Sequence, residues 1–590
     1  MGRNDMADEK LELLLNAALA ATPQEREKSG ILNVGFDTEE KTWEVIVKYH
    51  GDLSFLERLS ILVEPLLFGY AILTVPESEV PLLSQITEIE YVEKPKRLYF
   101  QTFAGKQASC IFPVTQRPPY LSGEGVLVGI ADSGIDYSHE EFLNEEGRTR
   151  IDFLWDQSLS PDAQKGWKAP EGFAGGVEFT AQQIDEALQA EGDAARSLLV
   201  PERDVSGHGT AVAGIAAGSS QGIAPKSRLL VVKLGMAESE GFPRTTELMR
   251  AVTYLVRKAS ALAKPLALNI SFGNTYGSHD GTSLLERFLD NASEVGRCAV
   301  CVGSGNEAAA RGHISGNVLE DVQIELAVGR YERTLNLQLW KNYADTFEVT
   351  LRSPDGGRLS FVTDSNEAQR LQRWRLMQTE LLLYIGEPTP YSAQQEIYLD
   401  FLPTGAYIDG GIWTFTLTPI RTVTGNYSLY LPSQTAIGTD TGFYRPTPDT
   451  TLTIPSTASR VITVGAYDTT LDAYADFSGR GYVFAVNDRE RLGITQSKPD
   501  IVAPGVGIVT AQPEGGYGSR TGTSFAAPFV TGAAALLMQW GIVMGNDRYL
   551  YGQKVKAYLQ RGAQPLPGFS QYPNPLVGYG KLCLSESLPG

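Results

Sequence analysis

Gly522-Thr523-Ser524-Phe525-Ala526-Ala527-Pro528 decides how the rest of the chain is read, because it presents a serine at a tight turn that opens an apolar helix. Small residues surround the hydroxyl, Gly522 lets another backbone approach closely, and Pro528 fits only a helix's first turn. Amides at such a helix start point toward the place where an oxyanion forms. Two readings stand at this point: Ser524 as a nucleophile, or Ser524 as the N-cap of a buried helix.

A nucleophilic serine needs a base within reach, an acid to orient the base, and donors for the oxyanion. The chain has five histidines, His50, His139, His208, His279 and His313, and every one precedes Ser524. The serine, acid, histidine order of the α/β-hydrolases is thereby excluded for Ser524. His208 lies in Ser206-Gly207-His208-Gly209-Thr210, followed by small residues that let a helix pack close to a sheet. Asp132 ends the apolar run VLVGIAD, and Ser133-Gly134-Ile135-Asp136 after it form a sharp turn from which its carboxylate projects. Taken singly, these are an ordinary helix-start histidine and a turn aspartate.

Outward from these motifs, the runs VLVGIAD, LLVVKL, LALNIS, CAVCVGSGN and VITVGAYD are almost continuously apolar. Strands of this kind are buried on both faces, which predicts a doubly wound parallel sheet of the α/β class. Asp132, Ser271 and Asn306 fall at or just past strand ends, on the carboxyl side where open α/β sheets place their sites. Between 317 and 451 the pattern changes to alternation, as in TLNLQLW, FEVTLR and IWTFTLT, which predicts an antiparallel β-sandwich inserted into the larger domain. Ahead of 100, TWEVIVK, LSFLERLSIL, LLFGYAILTV, VPLLSQI and IEYVEKPKRLYF read as a β-α-β-α-β unit.

GIADSGID, GHGTAVAG and GTSFAAP, in the order Asp132, His208, Ser524, resemble the subtilisin family of serine proteases, and Gly303-Ser304-Gly305-Asn306-Glu307 is similar to its oxyanion-hole loop. Phe525 departs from the family, where Met is usual. The resemblance implies a serine endopeptidase: Ser524 as nucleophile, His208 as base, Asp132 as its orienter, and Asn306 with the Ser524 amide as oxyanion donors. It also implies that Ser271-Phe272-Gly273 and Gly303-Ser304-Gly305 line the S1 pocket, with small residues leaving room for a sizeable P1 side chain. The first unit resembles a subtilisin propeptide, ferredoxin-like and α+β, so that a protein substrate and the chain's own propeptide in the cleft are the expected partners. Self-cleavage is then expected within 98–105, around Leu98, Tyr99, Phe100, Gln101 and Thr102. The implied domains are a propeptide over 1–100, a catalytic domain over 101–316 and 452–590, and a jelly-roll insertion over 317–451. That combination resembles the Csp-type subtilisins of spore-forming clostridia, whose best-known members activate a cortex-lytic zymogen in germination. A pseudoprotease scaffold with a retained propeptide, or a general intracellular subtilisin, are the alternatives.

Composition narrows the rest. With 69 acidic against 50 basic residues the net charge is −19, which disfavours nucleic acid or an anionic membrane as partner. The N-terminal stretch reads as a short amphipathic helix rather than a signal peptide, and no transmembrane run is found, so a cytoplasmic or spore-associated monomer is expected. Four cysteines make no disulfide framework, and Cys298 and Cys301 fall on opposite faces of a buried strand, against a metal or redox role. Asp136 and Glu141 are candidate calcium ligands, but no oxygen-rich ligand ladder is legible, and no cofactor or metal is assigned. His139 reads as structural, and His279 and His313 as loop residues.

Overall fold

The computed structural model describes residues 10–589 apart from 24–25, 27–34, 39, 66–68, 95–100, 236–242, 365–370 and 483–496. The chain divides into one unit over Met1–Phe100 and a second over Gln101–Gly590.

In the first unit, strands Thr42–Tyr49, Leu62–Pro65, Tyr70–Pro76 and Ile89–Glu93 form an antiparallel sheet in which the first strand is flanked by the third and the fourth. Alternate residues Trp43, Val45, Val47, Ala71, Leu73 and Val75 are all fully buried, the period of two expected of a sheet with one covered face. The helical reading of LSFLERLSIL is corrected. Only Ser54–Leu59 turns, as a 3₁₀ helix ended by left-handed Ser60, and Leu62–Pro65 leaves as a strand pairing with Tyr70–Pro76.

The second unit is built on strands β1 (Leu127–Asp132), β2 (Ile151–Asp156), β3 (Val177–Thr180), β4 (Arg228–Lys233), β5 (Leu266–Ile270), β6 (Cys298–Gly303), β7 (Ile462–Asp468), β8 (Ala473–Tyr474) and β9 (Ile501–Pro504). Their order is β8-β7-β6-β5-β1-β4-β2-β3, with β9 beside β7, and all pairings are parallel except those of β3 and β8. Every residue of β1 and β5 is buried, which is why these strands carry no alternation. Helices α1 (His208–Ala217) and α4 (Thr523–Met538) cover one face, and α2 (Thr245–Ala261) and α3 (Leu284–Glu294) the other. Cys301 packs with the first pair and Cys298 with the second, so the two thiols stand on opposite sides of β6.

The segment Thr523–Val543 is long and apolar enough to cross a membrane, yet 78% of its apolar window is buried at the centre of this fold. A disulfide that the cysteine count had not suggested joins Cys110 to Cys583. The spacing gave no warning because the partners are 473 residues apart.

The insertion is a sandwich of a six-stranded and a five-stranded sheet, every pairing antiparallel. It runs from strand His313–Asn317 to strand Gly442–Phe443 around its own core, which includes Leu337, Phe347, Phe401, Trp413 and Phe415.

Candidate active site

Asp132 is the last residue of β1 and fully buried. Its Oδ1 stands 2.6 Å from Nδ1 of His208 and also accepts the Ser133 amide at 2.8 Å. His208 opens α1, and Gly209 behind it lets the helix close on the aspartate turn: a methyl there would meet Gly134 O at 2.1 Å. Burial pushes the His208 pKa down, but the charge and hydrogen bond of Asp132 outweigh it and the net shift is upward. The imidazole packs beside Phe272 (5.7 Å between ring centres) and Phe525 (5.3 Å), so the residue at which the resemblance fails is part of the imidazole's packing.

Ser524 is the second residue of α4, with Gly522 at the N-cap, so the reading of Ser524 as a cap does not hold. Pro528 lies in the second turn rather than the first. Lacking an N–H, it leaves the carbonyl of Ser524, four residues back, without its helical donor. The Ser271 hydroxyl takes that place, donating to Ser524 O at 3.0 Å, while Ser524 Oγ donates to Ser271 O at 3.2 Å. The nucleophile candidate is thus clipped to the segment after β5 by a reciprocal pair.

Asn306 is exposed, and its Oδ1 accepts both the amide (3.0 Å) and the hydroxyl (3.1 Å) of Thr523. With its oxygen so held, the amide nitrogen is the end left to face the cleft. Gly305 adopts φ +91° and donates its N–H to Thr523 Oγ1 at 3.1 Å, a backbone setting that a side chain would strain. Ser304 turns away from this space, buried with its hydroxyl 3.3 Å from Ser478.

Two residues of the site escaped the sequence reading. Asp204 is buried and accepts from Ser133 Oγ, Ser206 Oγ and the Gly207 amide on one oxygen, and from the Thr210 amide and hydroxyl on the other. It ties the aspartate loop to the start of α1; an aspartate just ahead of a helix start was the available signal. Thr453 lies between Gly273 and Gly305: a methyl on the first would stand 2.6 Å from its Oγ1 and one on the second 2.4 Å from its Cγ2.

The remaining predicted positions take other parts. Asp136 accepts from Ser138 and the Glu514 amide, and Glu141 from Ser220, the Gln221 amide and Tyr517. Protein donors therefore engage both carboxylates, and the described residues hold no cluster of three or more His, Cys, Asp or Glu suited to a metal. His139 is buried, with Nε2 2.9 Å from Gly516 O and Nδ1 accepting the Glu141 amide. His279 lies in a loop, whereas His313 opens the strand His313–Asn317; both are buried, with Tyr430 stacked between them at 3.9 and 4.4 Å. Of the expected cleavage region, Leu98, Tyr99 and Phe100 lie outside the described residues. Gln101 and Thr102 begin a helix, Gln101–Ala108, instead of continuing an extended strand.

The family model described as "Subtilase family" matches residues 123–368 and 424–580, and the one described as "Csp protease B prodomain" matches residues 9–96. The solved structure of the CspB protease of Clostridium perfringens superposes with a TM-score of 0.73 at 34% identity, covering 82% of this chain and 96% of that one. The minor extracellular protease Vpr of Bacillus subtilis is 23% identical over 448 residues, 71% of this chain and 46% of Vpr. Subtilisin from Bacillus pumilus is 45% identical over a stretch of 72 residues, 12% of this chain. The chain spans less than half the length of Vpr, and a quarter of the PIII-type proteinase of Lactococcus lactis.

Proposed function

The chain belongs to the subtilase family and carries a prodomain of the Csp protease B kind, and from that premise we propose that it is a serine endopeptidase that cleaves its own prodomain and then a restricted set of proteins. The observation that carries the reading is the 2.6 Å contact between buried Asp132 and His208, in one site with Ser524 at a helix start and Asn306 anchored by its oxygen.

In the proposed reaction, Ser524 Oγ attacks the scissile carbonyl while Nε2 of His208 takes its proton, and the carbonyl π-electrons move onto oxygen. Asp132 accepts from Nδ1–H and stabilises the imidazolium that forms. The side-chain amide of Asn306 and the backbone N–H of Ser524 receive the oxyanion. In a subtilisin, loss of the equivalent asparagine costs roughly 10²–10³ in kcat, a measured example rather than a value deduced from this chain. Collapse returns the proton from His208 to the leaving amine, and water repeats the sequence on the acyl-enzyme. The hydroxyl of Ser524 now points to Ser271 O; rotation about χ1 brings it to the base, since catalytic hydrogen bonds of unliganded enzymes commonly tighten only with substrate bound.

The test is intact mass of the wild type against Ser524→Ala. The wild type should lose the mass of roughly its first hundred residues by cleavage within 98–105, and Ser524→Ala should keep the full 64.2 kDa. A fluorophosphonate probe should label Ser524 in the processed wild type; failure to label would favour a binding scaffold. The likeness to CspB supports a narrower proposal, that the natural substrate is a zymogen activated in spore germination. Digestion of a proteome from germinating spores should then yield one or a few cut proteins rather than general degradation.

A further inference from the structure

A cleft of about 480 Å³ opens at the amino ends of β5 and β6, the end of the sheet opposite the one that carries Ser271 and Asn306. Leu266 and Cys298, the first residues of those strands, lie at its base, and the last turns of α2, the turn after α3 and segment 548–551 make its walls. That volume falls in the range of small-molecule sites. The walls are tied to the sheet by main-chain bonds. The Leu266 amide donates to Arg297 O at 2.8 Å, and the Gly552 amide to Cys298 O at 2.9 Å. Gly296 and the Tyr551 ring lie side by side, so that a methyl on the glycine would come no closer to the ring than 3.8 Å.

Three cations line this cleft: Lys264, Arg297 and Arg548. Arg297 donates from Nη1 to Ala263 O at 3.2 Å, which holds the guanidinium without neutralising it. Among the described residues no carboxylate pairs with any of the three. The neighbouring acids are engaged elsewhere, Glu294 with Arg460 and Asp547 with Lys554 at 2.5 Å. Helices α2 and α3 end at the cleft, and each terminus brings a partial charge of roughly −0.5. Three full positive charges exceed that sum by about two. On a chain of net charge −19 this is a local reversal of sign, and it draws anions to one concave place.

The rest of the lining is apolar or aromatic. Val256 and Ala259 of α2 face it together with Val295, Tyr549 and Tyr551, and Tyr549 and Val295 are 72% and 62% exposed. A bare inorganic anion would engage the cations and leave this surface in water, while a neutral ring would cover the surface and leave the cations unmatched. We propose that the cleft binds a small organic carboxylate built on an apolar ring, with the carboxylate at Lys264, Arg297 and Arg548 and the ring against Tyr549, Tyr551 and Val295. The proposal is independent of the peptidase reading, since no residue of the cleft belongs to the catalytic group.

Isothermal titration of the full chain with benzoate tests it, with inorganic phosphate and benzyl alcohol titrated in parallel. Benzoate should bind at about one equivalent per chain, phosphate at least about tenfold more weakly, and benzyl alcohol not measurably over the same concentrations. The double variant Lys264→Gln, Arg548→Gln should weaken benzoate binding by on the order of 10–100-fold, the effect of losing one or two hydrogen bonds to a charged group. Ser260→Trp, at an exposed position on the α2 wall, fills the cleft with a ring and should remove binding with all three cations still in place. Urea midpoints equal to that of the wild type should show that both variants keep the fold. No binding of benzoate by the wild type, or an unchanged affinity in either folded variant, would overturn the proposal. Phosphate binding as tightly as benzoate, or benzyl alcohol binding equally well, would overturn it too, and this wild-type series decides even where a variant fails to fold.

Discussion

At the residue scale the site turns on how a buried carboxylate treats its histidine. Because Asp132 lifts the His208 pKa above its ordinary value despite burial, the imidazole is protonated, and unable to act as base, over more of the acid range than a free histidine. The acid limb of kcat/KM should accordingly fall above the ordinary histidine value of about 6.5. Asp132→Asn should shift that limb downward and cut kcat by about 10⁴, the loss measured for the corresponding change in a serine protease of another fold. A pH profile unmoved by Asp132→Asn would remove Asp132 from its role. A second buried carboxylate, Asp500, accepts from Lys498 (2.8 Å) and Lys556 (3.0 Å), both of them buried. Asp500→Asn leaves two buried lysines without their counter-ion and should cost about 3–5 kcal/mol in urea unfolding. Asp132, His208, Ser524 and Asn306 could be read from sequence because each sits in a glycine-bearing turn whose local chemistry is distinctive. Thr453 could not: nothing around TLTIPST marks a residue packed against two other segments, and its place shows only when Gly273 and Gly305 face it.

Elements were legible to the degree that one local force fixed them. The buried strands β1, β5 and β6 declared themselves by unbroken apolar runs, and the sandwich by alternation. LSFLERLSIL failed because helical spacing over ten residues competes with the left-handed turn at Ser60 and with pairing of Leu62–Pro65 in the sheet. Helices α1 and α4 are packed through small residues, and this close approach is testable. In the interior of α4, alanine in place of Gly532 gains about 1 kcal/mol of helix propensity. Its methyl, however, would stand 2.4 Å from Ile223 Cβ and 2.8 Å from the carbonyl of Ala216, a branch point and a backbone atom that have little room to yield. Overpacking of this sort costs about 1–3 kcal/mol, so the clash wins and Gly532→Ala should lower the urea midpoint with its slope unchanged. A midpoint that rises would show that α4 is not held at this distance.

For the second unit as a whole, the question is how the sandwich is joined to the sheet that carries the site. Loop 274–283, which continues from Gly273, meets the insertion at several points. Thr275 Oγ1 donates to Leu431 O, the Gly277 amide to Gln338, and Ser392 Oγ to Asp280. At the centre Tyr430 of the sandwich is stacked between His279 and His313 and donates to Thr450 O at 3.0 Å. These contacts favour a sandwich that braces segment 450–454, whose Thr453 N–H donates to Ser304 O at 3.0 Å in the segment that leads to Asn306. Burial lowers the pKa of His279, and it takes that of His313 to about 3. The His313 ring is neutral in the folded state near pH 5, whereas in the unfolded chain it binds a proton below about 6.5, and His279 is shifted in the same direction. The unfolded state then holds more protons, so stability falls as the pH drops from about 6.5 toward 3, by up to ~1.4 kcal/mol per pH unit from His313, with His279 adding in the same direction. His313→Phe keeps an aromatic ring in the stack and removes one titration. Its unfolding free energy should decline less steeply between pH 6.5 and 4 than that of the wild type, in parallel denaturant titrations. Tyr430→Ala removes the ring between the histidines and should cost about 3–5 kcal/mol. If the sandwich braces that segment, the variant should also cleave a peptide substrate more slowly at temperatures where it remains folded. Lost stability with unaltered turnover would leave the sandwich as a stabiliser of the fold and the segment held by its own backbone bonds to Ser304 and Asn274.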